Sequence, residues 1–418
     1  MMKIRENNRI RTIALVGLFS IMDQNLSKLK RVSSVWVKEY RRRFGHLPLI
    51  SELRENYPDE FKNYLRMDSA CFDMLLALVG PKICKTDTIM RKCISVEERL
   101  TATLRFLATG RSFEDLKFSS GISAPSLSVL IPETCKAIFE VLKEEYMKFP
   151  TTKDEWLQVA KDFQDRWQFV NCGGSMDGKH IRIVPPPKSG STYYNYKNFN
   201  SIVLMALVNS NYEFIYVDVG KNGRLSDGGV FEYTEFGRKL LAKKLNLPDT
   251  NATVNNMNYV FIGDEAFSLE EHFLKPYAQK DLNSEKRIFN YRLSRARNVV
   301  ENAFGIISSR FRILHTPINM KPKNISYVIL AICVLHNFLR RRCNAYISPT
   351  TVDSEDTDGC EKHQGDWRNN AVELVGLQPV NSRTVTIRAK INRDNYKEFF
   401  NTEGRVEWQD AMIRAGRA

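Results

Sequence analysis

Residues 173–184 read GGSMDGKHIRIV, and the run Ile181 to Val184 at their end is the first of four short apolar stretches rich in β-branched residues. The others are Ile202 to Val208, Phe214 to Val219 and Tyr259 to Ile262. Runs of this length bounded by Gly, Asn and Asp predict strands. Three strands in quick succession, a helical segment around Phe231 to Lys243 and a fourth strand make this part of the chain α/β.

Three acidic residues stand where this order of elements can bring them together. Asp177 lies at the first strand, Asp264 ends the fourth in YVFIGDEAF, and Glu301 lies in the long helix SRARNVVENAFGIISSRFRIL. In a sheet where the fourth strand lies beside the first, the two aspartates emerge close together, and a later helix crossing that point adds the third. Phe289, Leu293, Ala296, Val300, Phe304, Ile307, Phe311 and Leu314 follow one another at steps of three or four, a continuous apolar stripe. Glu301 is one position off this stripe, about a hundred degrees round the helix, at the edge where a core helix faces a cleft. Gly305, one turn on, is expected to leave open space beside it.

Gathered carboxylates suit hard divalent ions, Mg²⁺ or Mn²⁺, which prefer oxygen ligands and keep part of their water shell. Two such ions roughly 4 Å apart can activate a nucleophile and stabilise the leaving oxygen in a displacement at phosphorus. Each acid also has a plainer use. Asp177-Gly178 fits a hairpin turn, Asp264 a helix cap, and Glu301 an ion pair with Arg297 four residues back.

Upstream, to about Lys148, the chain reads as helical. Ser95 and Glu98 form a capping box opening a helix that stops near Gly110. Ser112 caps a second helix broken at Gly121, and Ser123 opens a third with Leu127, Leu130 and Ile131. Three short helices with tight turns suggest a helix-turn-helix, although Ser126, Ser128 and Glu133 on the third are poor phosphate partners. A scaffold or dimerisation role is the alternative. Downstream of Ala345, Asp353, Glu355, Asp356 and Asp358 lie among Ser, Thr and Gly, which reads as a solvated linker. Ile387 to Gln409, with Ile391, Tyr396, Phe399 and Phe400, is amphipathic and is expected to dock back on the body. The expected division is a helical region over 1–90, a helix-turn-helix-like domain over 91–150, the α/β domain over 151–345, and the acidic linker and C-terminal helix over 346–418.

The 418 residues carry 62 Lys+Arg against 48 Asp+Glu, a formal charge of +14 that favours polyanionic partners. No two of the eight cysteines form a CxxC pair, so a zinc knuckle is not expected and buried free thiols are. Ile13 to Met22, behind several basic residues, are too few to span a bilayer and read as an N-terminal helix with an apolar side. No membrane partner is expected.

The segments MDGKHIRIVPP, YYNYKNFNSIVLMALV, SDGGVF, GDEAF and FNYRLSRARNVVENAFGIISSRFRIL resemble the catalytic domain of the PIF/Harbinger transposases and their domesticated nuclease relatives, within the DDE superfamily. The 37 positions from Asp264 to Glu301 resemble that family's spacing, and the resemblance extends through the N-terminal helices and RDNYKEFFNTEGRVEW. It implies a ribonuclease-H-like mixed sheet flanked by helices, and a metal-dependent endonuclease acting on double-stranded DNA. Asp177, Asp264 and Glu301 then match the metal-binding acids. Asp227 in SDGG is a possible fourth acid whose alternative is a turn.

Lys179, His180, Lys197, Arg292, Arg295 and Arg297 are possible phosphate contacts, with sheet packing the alternative for His180 and a solvated helix face for the arginines. Tyr193, Tyr194 and Tyr196 suit nucleic acid or, more simply, core packing. The resemblance also implies a Myb/SANT-like DNA-binding partner and a location in the nucleus as well as the cytoplasm. A homo-oligomer is compatible with it. The competing reading is a domesticated DNA or chromatin adaptor that keeps the fold without catalysis; a ribonuclease or exonuclease on the same fold is a third.

Overall fold

The first strand begins well upstream of Ile181 and is buried along nearly all its length: β1 spans Cys172–Arg182, so Asp177-Gly178 lie in mid-strand rather than in a turn. The other strands form as expected: β2 (Ser201–Val208), β3 (Phe214–Asn222) and β4 (Val260–Ile262), with a short β5 (Phe273–Leu274). The computed structural model describes residues 46–89, 92–224, 231–280, 282–356, 361–370, 372, 374–378 and 385–416. The N-terminal stretch Ile13 to Met22 lies outside them, as do Asp227 and Asp358.

The sheet order is β3-β2-β1-β4-β5. β1, β2 and β3 form an antiparallel meander, whereas β4 runs parallel to β1 and β5 parallel to β4. After a small hairpin, β6 (Ser354–Asp356) and β7 (Glu361–His363), the two-residue β8 (Val375–Gly376) pairs with β1 at Lys179 and His180. The molecule is therefore mixed α/β, with a mixed sheet flanked by helices.

Among the described residues seven helices precede the sheet: α1 (His46–Asn56), α2 (Pro58–Leu65), α3 (Ser69–Ile83), α4 (Val96–Thr109), α5 (Phe113–Ser120), α6 (Ala124–Tyr146) and α7 (Lys153–Trp167). The Ser95–Glu98 capping box is present, Ser112 and Ser123 cap α5 and α6, and Gly110 and Gly121 end their helices in the left-handed region. α6 buries Leu127, Leu130, Ile131 and Ile138 against its neighbours, α4 and α10 (Pro322–Arg342). Its outward side carries Ser128, Val129 and Glu133, and Glu133 faces Lys85 and Arg99 at 3.7 and 3.6 Å. One turn on, the exposed Lys136 pairs with Glu140 at 3.6 Å, so the cations of that surface have carboxylates beside them.

The remaining helices among the described residues are α8 (Glu235–Leu241), α9 (Ser284–Arg310), α10, the single turn α11 (Trp367–Asn370), α12 (Ile387–Asn401) and α13 (Gln409–Arg414). All eight residues of the predicted stripe are buried, but the stripe outlasts α9: Phe311 caps the helix and Leu314 lies in a 3₁₀ turn. Each buried Leu or Phe contributes roughly 1.5–3 kcal/mol, so the stripe by itself holds α9 on the sheet. Among the described residues one helix, α10, is long and apolar enough to cross a membrane, and it is core: Ile325, Val328, Ile329, Ile332, Leu335 and Phe338 are fully buried. Asn337 on α10 accepts from the Phe214 amide at 2.9 Å and donates to the Tyr146 and Phe214 carbonyls, tying α10 to β3 and α6.

The solvated-linker expectation is overturned at two residues. Asp353 is buried in an ion pair with Arg368 at 2.5 Å, and Glu355 accepts from Arg295 at 3.1 Å and from Tyr291 at 2.8 Å. Half-buried cations elsewhere in the fold draw these acids inward, since a charge leaving water needs a partner. α12 docks on α9 as expected, burying Tyr396 and Phe400, although Ile391 faces outward at 54% exposure.

Candidate active site

A two-glycine bulge sets the site. Cys172 pairs with Val260 and Ser175 with Ile262, so three steps on β1 oppose two on β4. The extra residue resets the pleat: Cys172 and Ile181 lie on the same face although they differ by an odd number, and that face looks towards α9 and α10. Gly174, at φ +146°, supplies a backbone conformation that other residues rarely adopt. Counting two residues on from the Ser175–Ile262 pair places Asp177 beside Asp264, in the same phase and on the α9 face. Ser175 Oγ donates to the Arg297 carbonyl at 3.3 Å, which seats the middle of α9 over this point.

The three acids converge here. Asp177 is 2% exposed, Asp264 is half-buried, and the Glu301 side chain is 32% exposed at the mouth. Asp177 Oδ1 accepts its neighbour Gly178 N–H at 2.7 Å, while Oδ2 is buried without a hydrogen bond of good geometry and has Lys179 Nζ at 2.9 Å. Asp264 Oδ1 accepts the Ala266 amide at 2.9 Å in a tight turn, not at the start of a helix. Arg297 Nη2 meets Glu301 Oε1 at 2.5 Å, so the plain ion-pair reading of Glu301 holds as well, inside the cluster.

Titration reports the crowding. Burial, reinforced by Asp177, raises the Asp264 carboxyl to about 6. Burial would depress Lys179, but the Asp177 and Glu301 carboxylates outweigh it and hold the ammonium above its ordinary value. For Arg297, Glu301, Asp177 and Asp264 together outweigh burial in the same way. Three carboxylates share the space with two cations, and the buried Asp177 Oδ2 has Lys179 Nζ as its partner at 2.9 Å. An all-oxygen donor set of this kind fits a hard divalent ion.

The other sequence candidates divide. Lys179 and Arg297 are at the cluster, and Lys197 is exposed beside the Tyr196 ring. His180 is not at the cluster: it points to the opposite face of β1, 2% exposed, with Nδ1 on Ser201 Oγ at 2.9 Å. Arg292 is buried under Phe400 and donates to the Gly404 carbonyl, Gln409 Oε1 and the Gln168 carbonyl, so it fastens the C-terminal segment instead of meeting a phosphate. Arg295 is likewise spent on Glu355, the Trp167 carbonyl and Gln168 Oε1. Both corrections have one cause: segments distant in sequence cover that side of α9, the Phe400 to Gln409 stretch at Arg292 and Glu355 with the end of α7 at Arg295, which helical period alone cannot reveal. Tyr194 and Tyr196 are 47% and 40% exposed, against the core-packing expectation, and Tyr196 donates to the Gly376 carbonyl at 2.9 Å.

Residues beyond the sequence candidates complete the wall. A cavity of about 110 Å³ is lined by Lys179, Glu301, Phe304, Trp367, Arg368 and Leu374. Gly305 does not open space as expected: a Cβ there would meet the Trp367 ring at 2.3 Å, so the glycine admits the indole. Trp367 Nε1 donates to Asn302 Oδ1 at 2.8 Å, and the same oxygen accepts the Asp353 amide at 2.9 Å. A lone Trp in a polar stretch was the signal available in the sequence.

The acids, their shared sheet phase and the helix that completes them define a class. Residues 176–337 match the DDE superfamily endonuclease family. The chain's relatives are Harbinger-derived. It is 25% identical to the Arabidopsis thaliana protein named "Protein ALP1-like", covering 76% of this chain and 78% of that one. It is 24% identical to the human protein named "Putative nuclease HARBI1", covering 67% and 78%, and 20% identical to the Xenopus laevis protein of that name, covering 76% and 85%. No solved structure matches the chain. The DDE endonuclease superfamily generally uses divalent metal ions.

Proposed function

We propose that the chain is a metal-dependent DNA endonuclease whose Asp177, Asp264 and Glu301 hold Mg²⁺ or Mn²⁺. The observation that carries this is the grouping of the three acids from β1, β4 and α9 about Lys179 and Arg297, with Asp177 Oδ2 buried and met by Lys179 Nζ at 2.9 Å. The sheet order, a three-strand meander joined to two parallel strands, suits a ribonuclease-H-like fold. When bound, the ions supply Lewis-acid stabilisation of charge at phosphorus and a nucleophile at neutral pH.

The protein's own groups do the rest. Asp177, fixed in the sheet, and Asp264, fixed by its turn, form a rigid floor, and Glu301 at the mouth is the adjustable acid. Lys179 and Arg297 are held beside them by charge and can turn to the non-bridging oxygens of a phosphodiester once the carboxylates are engaged. Trp367 and Phe304 wall the site on the α9 side and limit water there. For partners and location, resemblance supports a Myb/SANT-like protein that supplies sequence recognition and a nuclear setting.

The test is nicking of supercoiled DNA by the purified chain with Mg²⁺ or Mn²⁺ and with EDTA, wild type against Glu301→Gln and Asp264→Asn. Both variants keep side-chain size and remove a ligand charge. Loss beyond the roughly 10–100-fold that removing a mere supporting group costs establishes the site. A wild type that never nicks, even with a Myb-like partner, and binds DNA equally without metal establishes the non-catalytic adaptor instead.

A further inference from the structure

Away from the acids, four arginines from separate elements converge without carboxylate partners. Arg66 follows α2, Arg105 is on α4, Arg310 ends α9 and Arg312 begins the 3₁₀ turn after it. Among the described residues none of the four forms an ion pair. Arg66 Nη1 donates to Asn63 Oδ1 at 2.5 Å, Arg105 Nη1 to the Tyr64 carbonyl at 3.1 Å and Arg310 Nη2 to the Tyr346 carbonyl at 3.0 Å, all neutral acceptors. Arg66 Nε is buried with no acceptor. Arg66 also adopts φ +64°, a left-handed conformation that non-glycine residues rarely take.

These residues line one continuous groove. A cavity of about 620 Å³ is bounded by Arg66, Arg105, Arg111 and Arg312 together with Tyr64 and Glu60. A second, of about 470 Å³, shares Asn63, Arg66 and Arg312 with it and adds Arg310, Asp366 and Trp367. Trp367 is also a wall of the cavity at Glu301, so the groove and the proposed active site lie on either side of this indole. Five arginines face two rim carboxylates, and Arg111 alone of the five has an ion pair, with Asp115 at 3.0 Å. Arg66 lies in the repulsive field of Arg312, Arg310 and Arg105, which adds to burial in lowering its basicity. A fold keeps like charges so placed at a cost, and a bound polyanion removes that cost. A groove in which arginines outnumber carboxylates, too large for a single small anion, matches a linear chain of phosphates.

We propose that this groove, from Trp367 through Arg310, Arg312 and Arg66 to Arg105, is where the sugar-phosphate backbone of duplex DNA beside the cleavage point lies. The choice of DNA rests on the nuclease reading; the grouping of unpaired guanidiniums does not. Contacts of this kind set register and affinity without reading bases.

The experiment measures binding of a fluorescent duplex by the full chain over a salt series. The double variant Arg66→Gln/Arg312→Gln is compared with Lys161→Gln/Lys244→Gln, which removes the same charge from exposed positions elsewhere, and melting curves check that each folds. Expected is a fall of about two in the slope of log affinity against log salt for the arginine pair only. Equal slopes in both variants, an unchanged slope in the arginine pair, or no duplex binding by wild type overturns the groove. If the arginine pair does not fold, Arg312→Gln alone, at an exposed residue, is expected to lower the slope by about one. Binding through the groove with no nicking overturns the nuclease reading and leaves the groove standing; nicking with an unchanged slope does the reverse.

Discussion

At the residue scale, the acids differ in how readily they ionise, and that difference has a pH signature. Asp264 carries its charge only above about 6, because burial and the adjacent Asp177 carboxylate oppose it. Without metal, ionising Asp264 therefore costs the fold: the penalty is absent below about 3.8, the ordinary value, and complete above about 6. A divalent ion offsets it. The apparent affinity for Mn²⁺, measured by calorimetry, is therefore expected to weaken as pH falls through 6. Asp264→Asn should bind weakly and show a flatter pH dependence. A wild-type affinity that stays level through this range would place Asp264 outside the ligand set.

At the scale of elements, α9 meets two different surfaces along its length, the C-terminal helices near Arg292 and the Trp367 turn near Gly305. The close approach of the indole leaves no room for a methyl group. Gly305→Ala is expected to displace α11, at about 1–3 kcal/mol of stability from overpacking, seen as a lower melting temperature. Because Trp367 also walls the Glu301 cavity, nicking should fall further than the loss of folded protein explains. A variant that melts as the wild type does would mean that the turn is not seated on the helix.

Across the whole molecule, one buried histidine joins parts distant in sequence. His336 Nε2 donates to the Tyr212 carbonyl at 2.8 Å and Nδ1 accepts from the Tyr346 hydroxyl at 3.0 Å. Burial pushes this imidazole down to about 4. The unfolded chain takes up the proton near 6.5, so the folded state loses stability as pH falls from there towards 4. Melting temperature should drop over that window, by up to the order of 3 kcal/mol from this group, and His336→Gln should flatten the drop. An equally steep fall in the variant would assign the acid sensitivity to other groups.

Much of this was legible from local pattern. The four strands, the capping boxes, the stripe of α9 and the three acids depend on periods of two and 3.6 and on short-range caps, which neighbours in sequence settle among themselves. What covers each face was not legible, since a period shows which side is apolar or charged but not which distant segment packs there. Hence Arg292 and Arg295 read as solvent-facing and prove to be enclosed by segments distant in sequence, Asp353 reads as linker and is a buried ion pair, and Gly305 reads as open space and is filled by Trp367. Only the tertiary structure, through the bulge at Gly173-Gly174 and the parallel pairing of β1 with β4, put Asp177 and Asp264 on one face. It alone brought Arg66, Arg105, Arg310 and Arg312 together. Contacts between residues hundreds of positions apart form because the compact fold removes apolar surface from water, and that is a property of the whole chain.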